Sequence, residues 1–150
     1  MKWLAVILTV LVIGCGDTGP RVVDPLLEAE VASFEAACEC TIPSSVIVID
    51  ARIGTAGGDA TAYFDGDHDA IVFSRPALDG YAARIGAQEY GLEPIVFHEF
   101  GHYVLGQVAH RNDMIDGRAA SLMNANPLNF IYVYPEHRVE YLIELFGRNN

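Results

Sequence analysis

The stretch His98-Glu99-Phe100-Gly101-His102 combines residue types and spacing that could do chemistry in this 150-residue chain. On an α-helix, residues four apart sit about 40° apart in azimuth and one turn apart in height. His98 and His102 can then both aim an imidazole nitrogen at one cation about 2.0–2.1 Å away, the length of a zinc–histidine bond. Glu99 is turned about 100° from His98, off the ligand line but beside it. From there it can take the proton of a water bound to the same ion. Zinc lowers the pKa of such a water toward about 7 and polarises a carbonyl oxygen. The pattern points to hydrolysis by an activated water, with Zn2+ as cofactor, His98 and His102 as ligands and Glu99 as general base.

A helix has to present these groups. Glu93-Pro94 is a helix opening, an acid followed by a proline that needs no amide partner in the first turn. Ile95, Val96, Phe97, Val104 and Leu105 make it a core helix running to about Leu105, and Gly106 is a natural terminator. Upstream, Asp24 as N-cap and Pro25 start a helix over residues 25–37, with Leu27, Val31, Phe34 and Cys38 at helical spacing. Val46–Asp50 reads as a buried strand. Ala60–Phe64 and Ala70–Ser74 read as two more, joined by a polar turn at Asp65–Asp69. Leu78–Tyr90 is compatible with a short helix. Residues 107–134 read as mostly irregular. Pro135 opens a last helix, with Val139, Leu142, Ile143 and Phe146 on one face. This order predicts an α+β fold: a small twisted mixed sheet packed on an N-terminal helix and the HExxH helix, then an irregular subdomain ending in a helix.

A tetrahedral centre with one open position needs a third protein ligand. The run HEFGHYVLGQVAH, followed after a loop by Ser121-Leu122-Met123-Asn124, resembles the metzincin clan of zinc peptidases. Their long motif is H-E-x-x-H-x-x-G-x-x-H with a later Met-turn. The resemblance implies a zincin-like fold and His110 as third ligand. It implies Met123 as a floor under the ligands and the strand Ala70–Ser74 as the edge along which substrate lies. It also implies that residues 127–134 wall a substrate pocket. The spacing departs from the clan: three residues, not two, stand on each side of Gly106. A helix continued to His110 would carry it about 12 Å past His102. The chain therefore has to break at Gly106, where glycine enters the left-handed region cheaply. Asp113 and Asp116 on the same loop, and Glu136 and Glu140 on the last helix, are competing ligands. The tyrosine that some members place just after the methionine has Ala125 at its position.

Asp65, Asp67 and Asp69 alternate like the start of a calcium loop, but the twelfth position would be Pro76 rather than a bidentate Glu, so a polar turn is the simpler reading. Cys38 and Cys40 flank Glu39; a disulfide across one residue is strained, and buried thiols or an intermolecular bridge are alternatives.

Composition narrows the partners. Nine basic residues against 20 acidic ones give a net charge of -11, which disfavours nucleic acid. Hydrophobic residues at 51% exclude a disordered chain. Lys2 followed by the apolar run Trp3–Ile13 reads as a signal peptide, since that run would rise only about 16 Å as a helix against a hydrocarbon core of about 30 Å. Val12-Ile13-Gly14-Cys15 resembles a bacterial lipobox. That resemblance implies a lipoprotein signal peptide at residues 1–14, lipid on Cys15 holding the protein to a membrane, and an extracytoplasmic place in the bacterial cell envelope. Residues 15–23 read as a tether and 24–150 as a single catalytic domain. The function expected is a zinc-dependent endopeptidase, a metallopeptidase acting on a peptide or protein substrate. The alternatives are a zinc-dependent amidohydrolase of non-peptide bonds and a non-catalytic surface binding lipoprotein.

Overall fold

The computed structural model describes residues 23–42, 47–50, 61–65, 70–86 and 88–147. The signal peptide, Cys15 and nearly all of the tether lie outside them, as do residues 66–69 of the polar turn. Helix α1 (Glu28–Cys38) is followed by strands β1 (Ile47–Asp50), β2 (Ala62–Asp65) and β3 (Ala70–Ser74), then helices α2 (Arg75–Ile85) and α3 (Glu93–Tyr103). A short hairpin, β4 (Met114–Ile115) and β5 (Arg118–Ala119), precedes a 3-10 turn at Pro127–Asn129 and helix α4 (Tyr134–Phe146). The architecture is α+β.

The three-stranded sheet has the order β1-β3-β2, with β1 parallel and β2 antiparallel to β3. It is the mixed sheet expected, but Ala70–Ser74 is its middle strand and not its edge. All five β3 residues are buried. A strand covered on both faces reads as an unbroken apolar run, and such strands sit inside sheets. The edge next to the HExxH helix is β2.

Several elements differ from their sequence reading for local reasons. Asp24 caps a turn rather than the helix itself: its carboxylate accepts from Leu26 N–H at 2.9 Å, and α1 proper starts at Glu28. Helix α2 begins directly off β3, because Ser74 Oγ accepts from Ala77 N–H at 3.3 Å and Pro76 stands in the first turn. The hairpin β4–β5 turns on Asp116 (φ 51°) and Gly117 (φ 83°). That Asp-Gly pair is a turn signal in the sequence, inside a stretch otherwise read as irregular. In α4 the buried residues are Tyr134, Tyr141 and Leu145, whereas Val139 and Ile143 are exposed. The predicted apolar face holds in part: Leu142 and Phe146 pack on the core, while Val139 and Ile143 face outward and Tyr141 is buried instead, stacked on Tyr134. Cys38 and Cys40 form a disulfide. Glu39 makes it possible by taking the left-handed conformation (φ 55°) at the end of α1, which sets the two Cα atoms 5.1 Å apart.

The core centres on Phe34 of α1. Its ring lies 5.1 Å from that of Phe97 and 4.9 Å from that of Phe100, both edge-on, and 5.4 Å from that of Phe146. These contacts clamp α3 between α1 and α4. A buried polar tie reinforces them. Glu93 accepts hydrogen bonds from Ser33 Oγ, Tyr134 Oη and Arg138 Nε, each at 2.6 Å. An acid that the sequence offers simply as a helix opener is thus 5% exposed and joins three helices. Removing one member of such a pair strands the others. Glu93→Ala is expected to lower the unfolding free energy by about 3 kcal/mol, read as a fall in the urea midpoint without a change in slope.

Candidate metal centre

Every residue of α3 from Glu93 to Gly101 is buried. His98 and Glu99 are 5% and 6% exposed, and His102, one turn on, is half-buried. Backbone carbonyls settle how the two imidazoles are used. His98 Nδ1 lies 2.5 Å from Leu122 O, and His102 Nδ1 lies 2.6 Å from Gln107 O. A carbonyl only accepts, so Nδ1 carries the proton in both rings and Nε2 carries a free lone pair. Burial is the main cause that pushes the His98 pKa down to about 4, with His102 and His110 adding repulsion. Burial also lowers that of His102. Protons therefore compete weakly for either nitrogen near neutrality.

The third imidazole arrives by the break expected at Gly106. Val104 and Leu105 N–H both donate to Phe100 O, at 2.8 and 3.1 Å, and Gln107 N–H donates to Gly101 O at 2.9 Å. The last turn is thus widened beyond α-helical pitch, which absorbs the extra residue before Gly106. Gly106 then takes φ +69° and the chain folds back. Arg111 N–H donates to Met123 O at 2.7 Å, which docks the segment carrying His110 on the turn at residues 121–124.

His110 Nε2 stands 3.2 Å from His102 Nε2. Two nitrogens bound to one tetrahedral zinc at about 2.05 Å would be about 3.3 Å apart. The donor atoms of His98, His102 and His110 all lie within 4.8 Å of one another, so the three can hold a metal ion. This is the one such group among the described residues. The competing acids are elsewhere: Asp113 and Asp116 are exposed on the β4–β5 hairpin, Glu136 is exposed, and Glu140 pairs with Arg118 at 2.5 Å and with His137 at 3.3 Å.

Met123 is fully buried beneath α3. A methyl group on Gly101 would overlap its sulfur and stand 3.1 Å from its Cε and 3.2 Å from Leu145 Cδ1. The glycine between Glu99 and His102 thus lets the helix settle on the methionine. Phe130 stacks on the His98 ring at 5.9 Å.

The three histidines and Glu99 line one cavity of about 260 Å³ together with Thr61, Ala62, Tyr81, Tyr103, Ala125 and Pro127. Burial drives the Glu99 pKa up to about 8, opposed by a hydrogen bond with the Thr61 side chain. Tyr103 Oη donates to Ala62 O at 3.3 Å, a bond between two residues of the cavity lining. Spacing along the chain carried no sign of Thr61, Ala62 or Tyr81, because the first two reach the cavity from the start of β2 and the third from α2. Pro127 does form part of the wall, while Tyr134 is committed to Glu93 and Tyr132 is exposed.

Comparison with known protein families, curated proteins and solved structures finds no match to this chain.

The shifted groups give metal-free protein a distinctive pH dependence. Unfolded chain releases the Glu99 proton near pH 4.5, folded protein near 8, so stability falls as pH rises between them. His98 acts the other way: unfolded chain binds a proton below about 6.5 and folded protein below about 4, so stability rises over that window. Between pH 6.5 and 8 the Glu99 contribution stands free of the opposing His98 one. In EDTA the denaturation midpoint should fall over this range, and Glu99→Gln should flatten the fall.

Proposed function

We propose that this chain is a zinc metallopeptidase that hydrolyses peptide bonds with Glu99 as general base. The observation that carries the reading is the convergence of three imidazole donors within 4.8 Å and a buried carboxylate on one cavity. The donor set suits zinc: neutral nitrogens, two of them held by carbonyl acceptors that fix tautomer and ring plane. Three protein ligands leave a tetrahedral position open, the mark of a catalytic rather than a structural centre.

Zinc bound there supplies a Lewis acid that acidifies water and polarises the scissile carbonyl. The remaining chemistry belongs to the chain. Glu99, adjacent to His98 in sequence but outside the ligand cluster, takes the proton of the attacking water and returns it to the departing amine nitrogen. Its burial suits both halves of that task, because a carboxylate poised near neutrality both accepts and releases a proton readily. Thr61 orients it from the wall of the cavity. Strand β2 has no partner on its outer edge among the described residues, and Ala62 of that strand lines the cavity. An extended peptide could lie along this edge and be held by its main chain.

The reading keeps the lipid on Cys15 and a place in the bacterial cell envelope on the strength of the N-terminal residues alone. No helix of the described residues is long and apolar enough to cross a membrane.

Glu99→Gln is expected to keep stoichiometric zinc while hydrolysis of a fluorogenic peptide falls by about 10²–10⁴-fold. EDTA should abolish wild-type turnover and added zinc restore it. Wild-type protein that binds zinc and cleaves no peptide would overturn the peptidase reading. Undiminished turnover by the Gln variant would overturn the role of Glu99.

A further inference from the structure

We propose that Asn124 is the positioning residue that sets His110 against His98 and His102. The proposal rests on the reading of His110 as a metal ligand. Asn124 is 2% exposed and its carboxamide makes three hydrogen bonds. Its Nδ2 donates to Arg111 O at 3.2 Å. Its Oδ1 accepts from Asn126 N–H at 3.0 Å and from Asn129 Nδ2 at 3.1 Å. A backbone N–H can only donate, so Oδ1 has to face Asn126, and the amide orientation follows: Nδ2 faces the Arg111 carbonyl.

Residue 111 is therefore held on both sides of its backbone. Its N–H goes to Met123 O and its carbonyl to Asn124. His110 is the residue just before Arg111; its side chain is exposed, and its ring meets the rings of His98 at 5.4 Å and His102 at 4.9 Å, which are the partners it has to be set against. The ligand position is thus inherited from the Arg111 backbone. The same turn supplies Leu122 O to His98, so a single buried turn at residues 121–124 indexes two of the three imidazoles to each other. A second tie runs in parallel: Glu144 accepts from Ser121 Oγ at 2.8 Å and pairs with the Arg111 guanidinium. That tie is exposed at the arginine and ends on a flexible side chain, so it holds the backbone of residue 111 less firmly than the buried amide does.

Metal ligands have to be placed to within about 0.2 Å. Loss of an outer partner typically weakens metal binding about 10–100-fold. No other side chain does what the amide does here. Aspartate would set an oxygen against the Arg111 carbonyl, and alanine would strand both that carbonyl and the Asn126 N–H.

The test is zinc affinity of the full chain, measured by competition with a chromophoric chelator, with zinc alone as the probe. Asn124→Ala and Asn124→Asp should each weaken zinc binding about 10–100-fold. In a His110→Ala background, where the ligand to be positioned is gone, the same substitutions should change the dissociation constant by less than about 2-fold. Asn129→Ala, at a half-buried site, frees the carboxamide without deleting it. It should weaken binding a few-fold in wild type and not at all beside His110→Ala, and it serves if the Asn124 variants fail to fold. Unchanged affinity in the Asn124 variants, or in Asn129→Ala should it stand in for them, overturns the proposal and leaves the metal centre standing. An equal loss with and without His110 also overturns it, since the effect would then be general destabilisation. If His110→Ala alone leaves affinity unaltered, His110 is no ligand and both readings fall.

Discussion

The Leu122 carbonyl accepts a hydrogen bond from Nδ1–H of His98, and the Gln107 carbonyl accepts one from Nδ1–H of His102. These two bonds turn a pair of generic imidazoles into a pair of directed lone pairs. Without them each ring could protonate either nitrogen and rotate about its own side chain. With them, both Nε2 atoms face one point, and the only remaining demand is a third donor. The two acceptors come from very different places in the chain. Gln107 belongs to the widened turn that ends α3, so His102 is oriented locally. Leu122 belongs to a turn 24 residues beyond His98, so that ring depends on the tertiary fold.

Burial is the other governing quantity at the site. A carboxylate as buried as Glu99 is held in its protonated form beyond the usual range unless a positive charge comes close. A divalent ion beside it would supply that charge. The histidines are shifted in the complementary sense, toward their neutral, ligating form. Near neutrality the Glu99 shift costs free energy in metal-free protein, whereas the lowered histidine costs nothing above about pH 6.5 and keeps its lone pair free for a cation. Perturbed titration of several groups around one cavity is a recognised signature of function.

The frame around the site is built to hold α3 still. Phe34 stands at the junction of α1, α3 and α4, and Glu93 ties the same three helices through buried hydrogen bonds. Met123 fills the space beneath Gly101, where an added methyl group would overlap its sulfur and oblige the methionine or the helix to shift. Strand β2 lies at the sheet edge beside this helix, and its Ala62, with Thr61 just before it, lines the cavity. The sheet thus supplies one wall, the helix the donors, and the segment 106–127 the third ligand and the opposite wall.

Short-range geometry was legible from the residues alone. The i, i+4 spacing of His98 and His102 puts both on one helical face whatever the rest of the chain does. The need for a break at Gly106 follows from helical rise, and the apolar run Ala70–Ser74 announces a buried strand. Only the folded chain decided that His110, rather than Asp113, Asp116, Glu136 or Glu140, meets the other two, because that meeting depends on hydrogen bonds between residues 111 and 123–124. The fold likewise put β3 in the middle of the sheet, buried Tyr141 of α4 while leaving Val139 and Ile143 outside, and took Glu93 out of water. Each of these is a choice among partners distant in sequence. Local propensity specifies the shape of a segment, and the identity of what packs against it is settled by the competition of all segments for one core.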